Sequence, residues 1–174
     1  IPAYNEGATI HHILNKVKAV QLVNDIQKEV IIVNDCSKDN TEEAIHKYKA
    51  EHPELPISYY KHEVNKGTRA ALHTGIEKAT GDYVIIQDAD LEYDPGEYPR
   101  LLKPLLDGHA DAVFGSRYLR GEQTRVLPFW HSMINKFLTL VSNMFCNLNV
   151  TDMETCYKVF RTDLLKSIPV RSDR

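Results

Sequence analysis

Short apolar, β-branched runs recur along the chain and are typical of strands that are covered on both faces. The clearest runs are residues 29–33, 83–86 and 111–114. Residues 57–60 form a weaker run of the same kind, and residues 1–4 resemble the end of a further strand. The pattern therefore predicts a sheet built from short, largely buried strands.

Between these runs, apolar residues recur at three- and four-residue spacing, which is the helical period. The spacing predicts helices over residues 10–17, 44–48, 70–79 and 98–106, with Pro99 acceptable only in a first turn. Strands and helices that alternate in this way form βαβ units. We therefore predict an α/β fold, a Rossmann-like, mostly parallel sheet with helices on both faces.

One long apolar pattern stands apart after Gly121. It comprises Trp130, Met133, Ile134, Phe137, Leu138, Val141, Met144, Phe145 and Leu148. The spacing predicts a helix with one broad apolar face. Such a helix fits a protein core, which we favour, but it also fits a membrane interface or a lipid groove, although its polar face has few basic residues.

Composition narrows the class of protein. The chain has 174 residues, of which 43% are hydrophobic and 26% charged, which is the balance of one soluble globular domain. A net charge of -3 argues against a nucleic-acid partner. No secretory leader is evident, and no stretch reaches the roughly 18 apolar residues of a spanning helix. We expect a cytoplasmic protein, at the cytoplasmic face of a membrane.

The ends and the cysteines add two expectations. Both ends resemble interrupted elements, so we expect a single domain over residues 1–174, truncated at both ends. Cys36, Cys146 and Cys156 are odd in number and scattered, so they indicate neither a disulfide framework nor a zinc site.

Polar residues follow the predicted strands at the point where each strand ends. They are Tyr4, Asn5 and Glu6, then Asn34 and Asp35, then Gln87, Asp88 and Asp90, and finally Ser116 and Arg117. Because ligands of open α/β sheets bind beyond the carboxyl ends of the strands, we expect these residues to share one site.

The motif Asp88-Ala89-Asp90 is the central candidate within that site. If the strand continues through it, both carboxylates project to the same side. Two such oxygen donors suit Mg²⁺ or Mn²⁺, which completes its shell with phosphate oxygens and water, and Glu92 could be a third ligand. The alternative is an ordinary solvated loop.

Three further positions could bind parts of a nucleotide. The Asp35 carboxylate can accept a hydrogen bond from a base N–H, as in uracil or guanine, whereas Asp39 or Thr41 could simply cap the next helix. Lys66, Gly67 and Arg69 begin a helix and suit a phosphate, although the spacing of a Walker loop is absent. Arg117 could pair with a phosphate or form a surface ion pair.

These motifs, in this order, resemble family 2 glycosyltransferases of the GT-A fold, and within them the dolichyl- and polyprenyl-phosphate hexosyltransferases. The residues that carry the resemblance are 2–6, 33–41, 65–67, 87–90 and 115–117, followed by 151–161. The chain departs from the family at three points. It has Asn34-Asp35-Cys36 where Asp-Asp-Gly is common, and His131-Ser132 where many mannosyl members have a basic pair. It also has Glu92 at the third metal position, where Gln is common.

The resemblance implies a role for each matching position. Pro2, Ala3, Tyr4 and Glu6 would border the nucleotide, Asp35 would hold the base, and Lys66, Gly67 and Ala89 would complete the donor site. Asp88 would lie near the ribose and the metal, and Asp90 would coordinate the Mg²⁺ or Mn²⁺ ion, with Glu92 as a further ligand. Arg117, with Lys158, would face the acceptor phosphate.

The implied reaction is the inverting transfer of glucose or mannose from a UDP- or GDP-hexose to a polyprenyl or dolichyl phosphate. Such an acceptor is already anionic at neutral pH and needs no general base. Two alternatives stay open: transfer to a saccharide hydroxyl, for which Glu154 could act as the base, and a non-catalytic nucleotide-sugar-binding module. A nicotinamide-binding domain is disfavoured because no G-x-G-x-x-G follows the first strand.

Overall fold

The computed structural model describes residues 1–116, 118 and 129–168. Its strands are β1 (Pro2–Ala3), β2 (Val30–Asn34), β3 (Ile57–Lys61), β4 (Tyr83–Ile85), β5 (Ala112–Phe114) and β6 (Lys158–Arg161). Its α-helices are α1 (Ile10–Ala19), α2 (Thr41–Glu51), α3 (Thr68–Lys78), α4 (Tyr98–Leu106), α5 (Phe129–Cys146) and α6 (Thr162–Ser167). Short 3₁₀ turns span Val23–Asp25 and Pro95–Glu97.

The strands form two three-stranded sheets. The first has the order β1-β2-β3 and is parallel throughout. The second has the order β4-β6-β5, and β6 runs antiparallel to both neighbours. The α/β class and the predicted strands are confirmed, and the parallel arrangement holds for the first sheet. We did not predict β6, because KVFR is a short run with charged residues at both ends.

The two sheets lie side by side. Pro2 and Val33 of the first sheet and Ile85 and Gln87 of the second line one cavity of about 640 Å³. The amino ends of β2 and β4 lie together, because the Glu29 carboxylate before β2 accepts the backbone N–H groups of Thr80 and Gly81 before β4. The carboxyl ends of β2, of its parallel neighbour β1 and of β4 therefore point towards the same edge of the molecule.

Helices cover both faces of the first sheet because side chains of β2 alternate between them. Ile32 belongs to one buried cluster together with Ile13 of α1 and Ile45 of α2. The next residue, Val33, faces α3, where a Cβ added at Gly75 would lie 3.6 Å from the Val33 Cγ2 atom. The prediction of helices on both faces is thus confirmed.

Helix α4 covers the second sheet. Pro99 occupies its first turn, as predicted, and Pro104 lies inside the helix. Leu101, Leu102 and Leu105 of α4 are buried and share a cluster with residues of β6. Helix α4 continues past Pro104 because burial of these leucines offsets the low helix propensity of proline.

Helix α5 differs from the core helix that we favoured. Its buried residues are Asn135 and Thr139, whereas most of its large apolar side chains are exposed. The predicted helical periodicity is confirmed, but the apolar face of the helix points away from the protein. In residues 1–116 and 129–168, none of the helices is long and apolar enough to cross a membrane.

Candidate functional site

The loops that follow β1 and β2 are bonded to each other at the carboxyl edge of the first sheet. The backbone N–H of Glu6 donates to Thr41 Oγ1 over 2.8 Å, and that of Gly7 donates to Asp39 Oδ2 over 3.0 Å. A Cβ added at Gly7 would clash with the Asn40 side chain, which would have to move to make room for it. Asp39 also accepts the backbone N–H of Thr41, the first residue of α2, although the N-cap position that we expected for Asp39 or Thr41 is occupied by Asn40.

Both loops turn through residues with positive φ. Asn5 has φ 57° and Cys36 has φ 61°. Asn tolerates this left-handed conformation, whereas Cys does so at a cost, and Cys36 occupies the position where the family often has Gly. The turn at Cys36 directs the chain away from the sheet immediately after Asp35.

The Asp35 side chain accepts three hydrogen bonds at this edge. Its Oδ1 accepts the His62 Nδ1 at 2.7 Å and the backbone N–H of Lys66 at 2.9 Å. Its Oδ2 accepts the backbone N–H of Gly67 at 2.6 Å. The side chain is only 3% exposed. Asp35 therefore joins the end of β2 to the loop between β3 and α3.

The bonds also determine the charge state of Asp35. Burial alone would raise its pKa, but the hydrogen bonds from Lys66, His62 and Gly67 outweigh burial and hold the pKa below its ordinary value. Asp35 is thus ionised at neutral pH. A carboxylate has about four acceptor sites, so one remains after these three donors. Its contact with a base stays a prediction.

His62 is a site residue that our sequence reasoning missed. It is buried, and its Nε2 lies 2.9 Å from Thr74 Oγ1 on α3. Because an ionised carboxylate can only accept, the Nδ1 atom of His62 carries a proton that points towards Asp35. His62 directly follows β3, so the rule that we applied to the other strand ends would have found it.

The turn before α3 is held by Asp35. Gly67 has φ 86°, which favours glycine, and directly precedes the helix. The backbone N–H groups of Lys66 and Gly67 donate to Asp35. The side chains of Lys66 and Arg69 are exposed, and a phosphate contact at the start of α3 stays a prediction.

The segment that contains Asp88 and Asp90 is not a continuation of β4. The strand ends at Ile85, so the alternation on which we placed both carboxylates on one side does not apply, and that argument is wrong. Asp88 is half-buried and Asp90 is exposed. Asp90 Oδ1 accepts the backbone N–H of Glu92 at 3.0 Å, in a turn where Leu91 has φ 61°.

Two consecutive hydrogen bonds, here called the brace, connect this segment to helix α4. The Tyr98 hydroxyl donates to Gln87 Oε1 over 2.8 Å, and Gln87 Nε2 donates to the carbonyl of Asp88 over 2.9 Å. Tyr98 and Gln87 are both buried. Helix α4 therefore positions the backbone that carries the two carboxylates.

The Cys156 thiol lies beside the Asp88 carboxylate. Burial and its hydrogen bond to the Asp88 carboxylate raise the pKa of the Cys156 thiol to about 11. The backbone N–H of Cys156 donates to the Tyr93 hydroxyl over 3.2 Å. The segment 151–161 thus joins the site, as the resemblance implies, although we had not singled out Cys156.

The described residues suit a divalent ion whose remaining ligands are phosphate oxygens and water. Within the described ranges, no three His, Cys, Asp or Glu side chains are arranged to hold a metal ion, so the predicted set with Glu92 is not assembled. Asp88 and Asp90 still offer hard oxygen donors. Mg²⁺ and similar ions are commonly held by one or two carboxylates together with phosphate oxygens.

The remaining predicted residues lie at or near the same edge. Pro2 and Ala3 pair with β2, Tyr4 and Glu6 follow them, and Ala89 is buried between the two acids. Lys158 on β6 lies with its Nζ 5.9 Å from the centre of the Phe114 ring. Arg117 lies outside the described residues.

Known proteins are similar to this chain in sequence and in fold. The family profile described as glycosyl transferase family 2 matches residues 1–168. A dolichol-phosphate mannosyltransferase of Pyrococcus furiosus is 29% identical over 145 residues, which cover 83% of this chain and 39% of the relative. A UDP-N-acetylglucosamine–dolichyl-phosphate N-acetylglucosaminyltransferase of Methanococcus voltae is 27% identical, covering 95% of this chain and 69% of the relative.

The fold matches solved glycosyltransferases. The mannosyltransferase PcManGT of Pyrobaculum calidifontis, solved with GDP-Man and Mn²⁺, superposes with a TM-score of 0.72 at 22% identity, covering 99% of this chain and 46% of that chain. Glucosyl-3-phosphoglycerate synthase of Mycobacterium tuberculosis, solved with Mn²⁺ and UDP-Glc, superposes at 0.69 and 22% identity, covering 97% and 56%. These likenesses establish the GT-A fold. Because the family profile spans nearly the whole chain, the chain belongs to glycosyl transferase family 2.

Proposed function

We propose that this chain is the donor-binding and catalytic region of a metal-dependent, inverting glycosyltransferase. It transfers a hexose from a UDP- or GDP-sugar to a polyprenyl or dolichyl phosphate. The observation that carries the proposal is that the Asp35 network follows β2 and the braced segment with Asp88 and Asp90 follows β4, at the carboxyl ends of strands that begin side by side. That edge is where ligands of open α/β sheets bind.

The names of the relatives support the choice of substrates. Three similar proteins are named as transferases acting on dolichol phosphate, dolichyl phosphate or undecaprenyl phosphate. Solved structures of similar fold contain GDP-Man or UDP-Glc together with Mn²⁺. The chain spans 39% of the first of these relatives and 48% of the undecaprenyl-phosphate enzyme, so the activity of those whole enzymes comes to this chain only as a proposal.

The proposed roles follow the geometry of the edge. Asp35 would accept a base N–H with its remaining lone pair, while His62 and the 65–67 turn hold it in place. Asp88 and Asp90, with Glu92 next to them, would hold a Mg²⁺ or Mn²⁺ ion. When bound, such an ion stabilises the charge that develops on the leaving diphosphate. We assign Arg117 to the acceptor phosphate, which is anionic and attacks without a general base.

Calorimetric titration tests the donor site. UDP, UDP-glucose, GDP and GDP-mannose would be titrated with and without Mn²⁺ into wild type and Asp90→Asn. We expect metal-dependent binding of one nucleotide pair, weakened about tenfold or more in the variant, because a charge-assisted metal contact contributes several kcal/mol.

A matched substitution controls for the loss of one negative charge. Asp111 is an exposed carboxylate before β5, at the opposite end of the strands, so Asp111→Asn should bind as wild type does. Binding that is equally strong without Mn²⁺, or unchanged in Asp90→Asn, would contradict the proposed site.

An acceptor assay tests the reaction. Sugar transfer from the donor that binds would be measured with dolichyl phosphate, undecaprenyl phosphate and an oligosaccharide as acceptors. Product on the lipid phosphates, with an inverted anomeric centre, is expected. Transfer to the oligosaccharide alone would instead favour the hydroxyl-acceptor enzyme, in which a carboxylate such as Glu154 takes the proton.

A further inference from the structure

The three donors that bind the Asp35 carboxylate are divided unevenly between its two oxygen atoms. The Oδ1 atom accepts two hydrogen bonds, from His62 Nδ1 at 2.7 Å and from the backbone N–H of Lys66 at 2.9 Å. The Oδ2 atom accepts one, from the backbone N–H of Gly67 at 2.6 Å. Each carboxylate oxygen has about two lone pairs. Among the residues that the structure describes, Oδ1 therefore has no lone pair left and Oδ2 retains one.

Burial limits access to Asp35 in the same direction. The side chain follows β2 directly and is only 3% exposed. His62 is held against Oδ1, because its Nε2 atom lies 2.9 Å from Thr74 Oγ1 on α3. The Oδ1 atom is thus enclosed by the protein. The carboxylate has room for one further donor from a ligand and not for two.

Nucleotide bases differ in the number of N–H groups on their pairing edge. Guanine presents two neighbouring donors, N1–H and N2–H, and a carboxylate accepts both only if each oxygen takes one. Uracil presents a single donor, N3–H, between two carbonyl oxygens, and thymine has the same edge. Cytosine has an unprotonated N3 atom, whose lone pair an ionised carboxylate repels. The number of free acceptors on the protein therefore distinguishes these bases.

We propose that the donor nucleotide of this chain carries a base with a single N–H between two carbonyl oxygens, as in uracil, and not guanine. This choice rests on the proposed function, in which Asp35 contacts the base, and it decides between UDP- and GDP-hexoses. The remaining lone pair of Asp35 Oδ2 accepts the N3–H of uracil. A guanine in the same place would direct its second N–H at the enclosed Oδ1 atom and leave that donor unpaired.

In the proposed site, Asp35 discriminates between bases and aromatic stacking does not. The backbone N–H of Asp35 donates to the carbonyl of Ala3 over 2.9 Å, and Tyr4, the next residue, is 43% exposed at this edge. An aromatic ring stacks on any base, since every base has a π-face. Sites that rely on buried hydrogen bonds, by contrast, strongly reject a ligand that leaves a polar group unpaired.

Nucleotide analogues test the proposal on the unaltered protein. Binding of UDP, GDP, CDP and two methylated forms of UDP would be measured by calorimetry with Mn²⁺. N3-methyl-UDP lacks the N–H, and 5-methyl-UDP is its matched control, because it carries the same added group on another edge and has the base of thymine. We expect UDP and 5-methyl-UDP to bind alike. N3-methyl-UDP, CDP and GDP should bind at least about tenfold more weakly, because each loses or mismatches the hydrogen bond to Asp35.

The outcomes separate this proposal from the proposed function. Metal-dependent binding of GDP that equals or exceeds that of UDP would overturn the choice of uracil and leave the proposed glycosyltransferase standing. N3-methyl-UDP that binds as UDP does would overturn the choice as well. So would a methyl group at C5 that weakens binding as much as one at N3, because the N–H would then not be the determinant. Binding of none of the nucleotides would count against both proposals.

Discussion

The Nδ1 atom of His62 lies 2.7 Å from the Oδ1 atom of Asp35, and both side chains are buried. The pair joins β2 to the residue that follows β3, and it continues through His62 Nε2 to Thr74 on α3. A buried carboxylate must be hydrogen-bonded to remain ionised. His62 is thus a positioning residue for Asp35, and its removal has measurable consequences.

Replacing His62 should destabilise the protein. In His62→Leu one buried donor to Asp35 is lost, so we expect the free energy of unfolding in urea to fall by about 1–3 kcal/mol. His62→Asn, which retains an N–H donor near the same place, should lose less. His73→Leu is the control, because His73 lies on the exposed part of α3 beside Glu77. Equal stability of His62→Leu and wild type would contradict the role assigned to His62.

The lowered pKa of Asp35 predicts how stability depends on pH. A carboxyl whose folded pKa lies below its unfolded pKa of about 3.9 contributes stability above that value and loses it as pH falls through the folded pKa. Asp35→Asn should therefore be less stable than wild type at pH 7 by about 1–3 kcal/mol, and the difference should shrink below pH 4. Urea unfolding at pH 7, 5 and 3 measures this, and a pH-independent difference would refute it.

Two buried tyrosines should respond oppositely to loss of the hydroxyl group. Tyr98 donates to buried Gln87, so Tyr98→Phe leaves that acceptor without its donor and should cost about 1–3 kcal/mol of unfolding free energy. Within the part of the chain that the structure describes, the Tyr157 hydroxyl has no hydrogen-bond partner. Tyr157→Phe should therefore be neutral or stabilising in thermal unfolding. If both variants lost the same free energy of unfolding, the stabilising role of the hydrogen bond from Tyr98 to Gln87 would be contradicted.

Gly67 and Gly75 form a second contrasting pair. Gly67 has φ 86° and ψ 161°, a region populated essentially by glycine, so Gly67→Ala should cost about 1–3 kcal/mol even though no atom lies within 4 Å of the new Cβ. It should also weaken nucleotide binding, because the Gly67 N–H holds Asp35. Gly75→Ala, inside α3 with room for a methyl group, should be neutral or stabilising. Chemical denaturation of both variants is the measurement.

Much of the fold could be predicted from local patterns. The strands β2 to β5 lie within one or two residues of the apolar runs, and α4 begins with Pro99 in its first turn, as its sequence required. These features depend on side chains a few positions apart, whose periodicity is visible in one dimension. The edge at which Asp35 and Asp88 would lie followed from topology, because parallel strands end together.

The contacts that define the site could not be predicted from local sequence patterns. The bond between Asp35 and His62 and the approach of Cys156 to Asp88 join residues 27 and 68 positions apart (62 − 35 and 156 − 88). No periodicity encodes such pairs, because packing of separate elements brings them together. The strand alternation that we assumed at Asp88 and Asp90 also failed, since β4 ends at Ile85 and a tight turn at Leu91 follows.

Helix α5 shows most clearly what the sequence determines and what only the tertiary structure decides. The sequence alone determined that Phe129–Cys146 is helical and that its apolar and polar residues lie on opposite sides. Which side faces the protein was decided only by tertiary structure. The loop after α5 presents backbone groups that need hydrogen-bond partners, and Thr139 and Asn143 provide them, so the polar side turns inward and the apolar side is exposed.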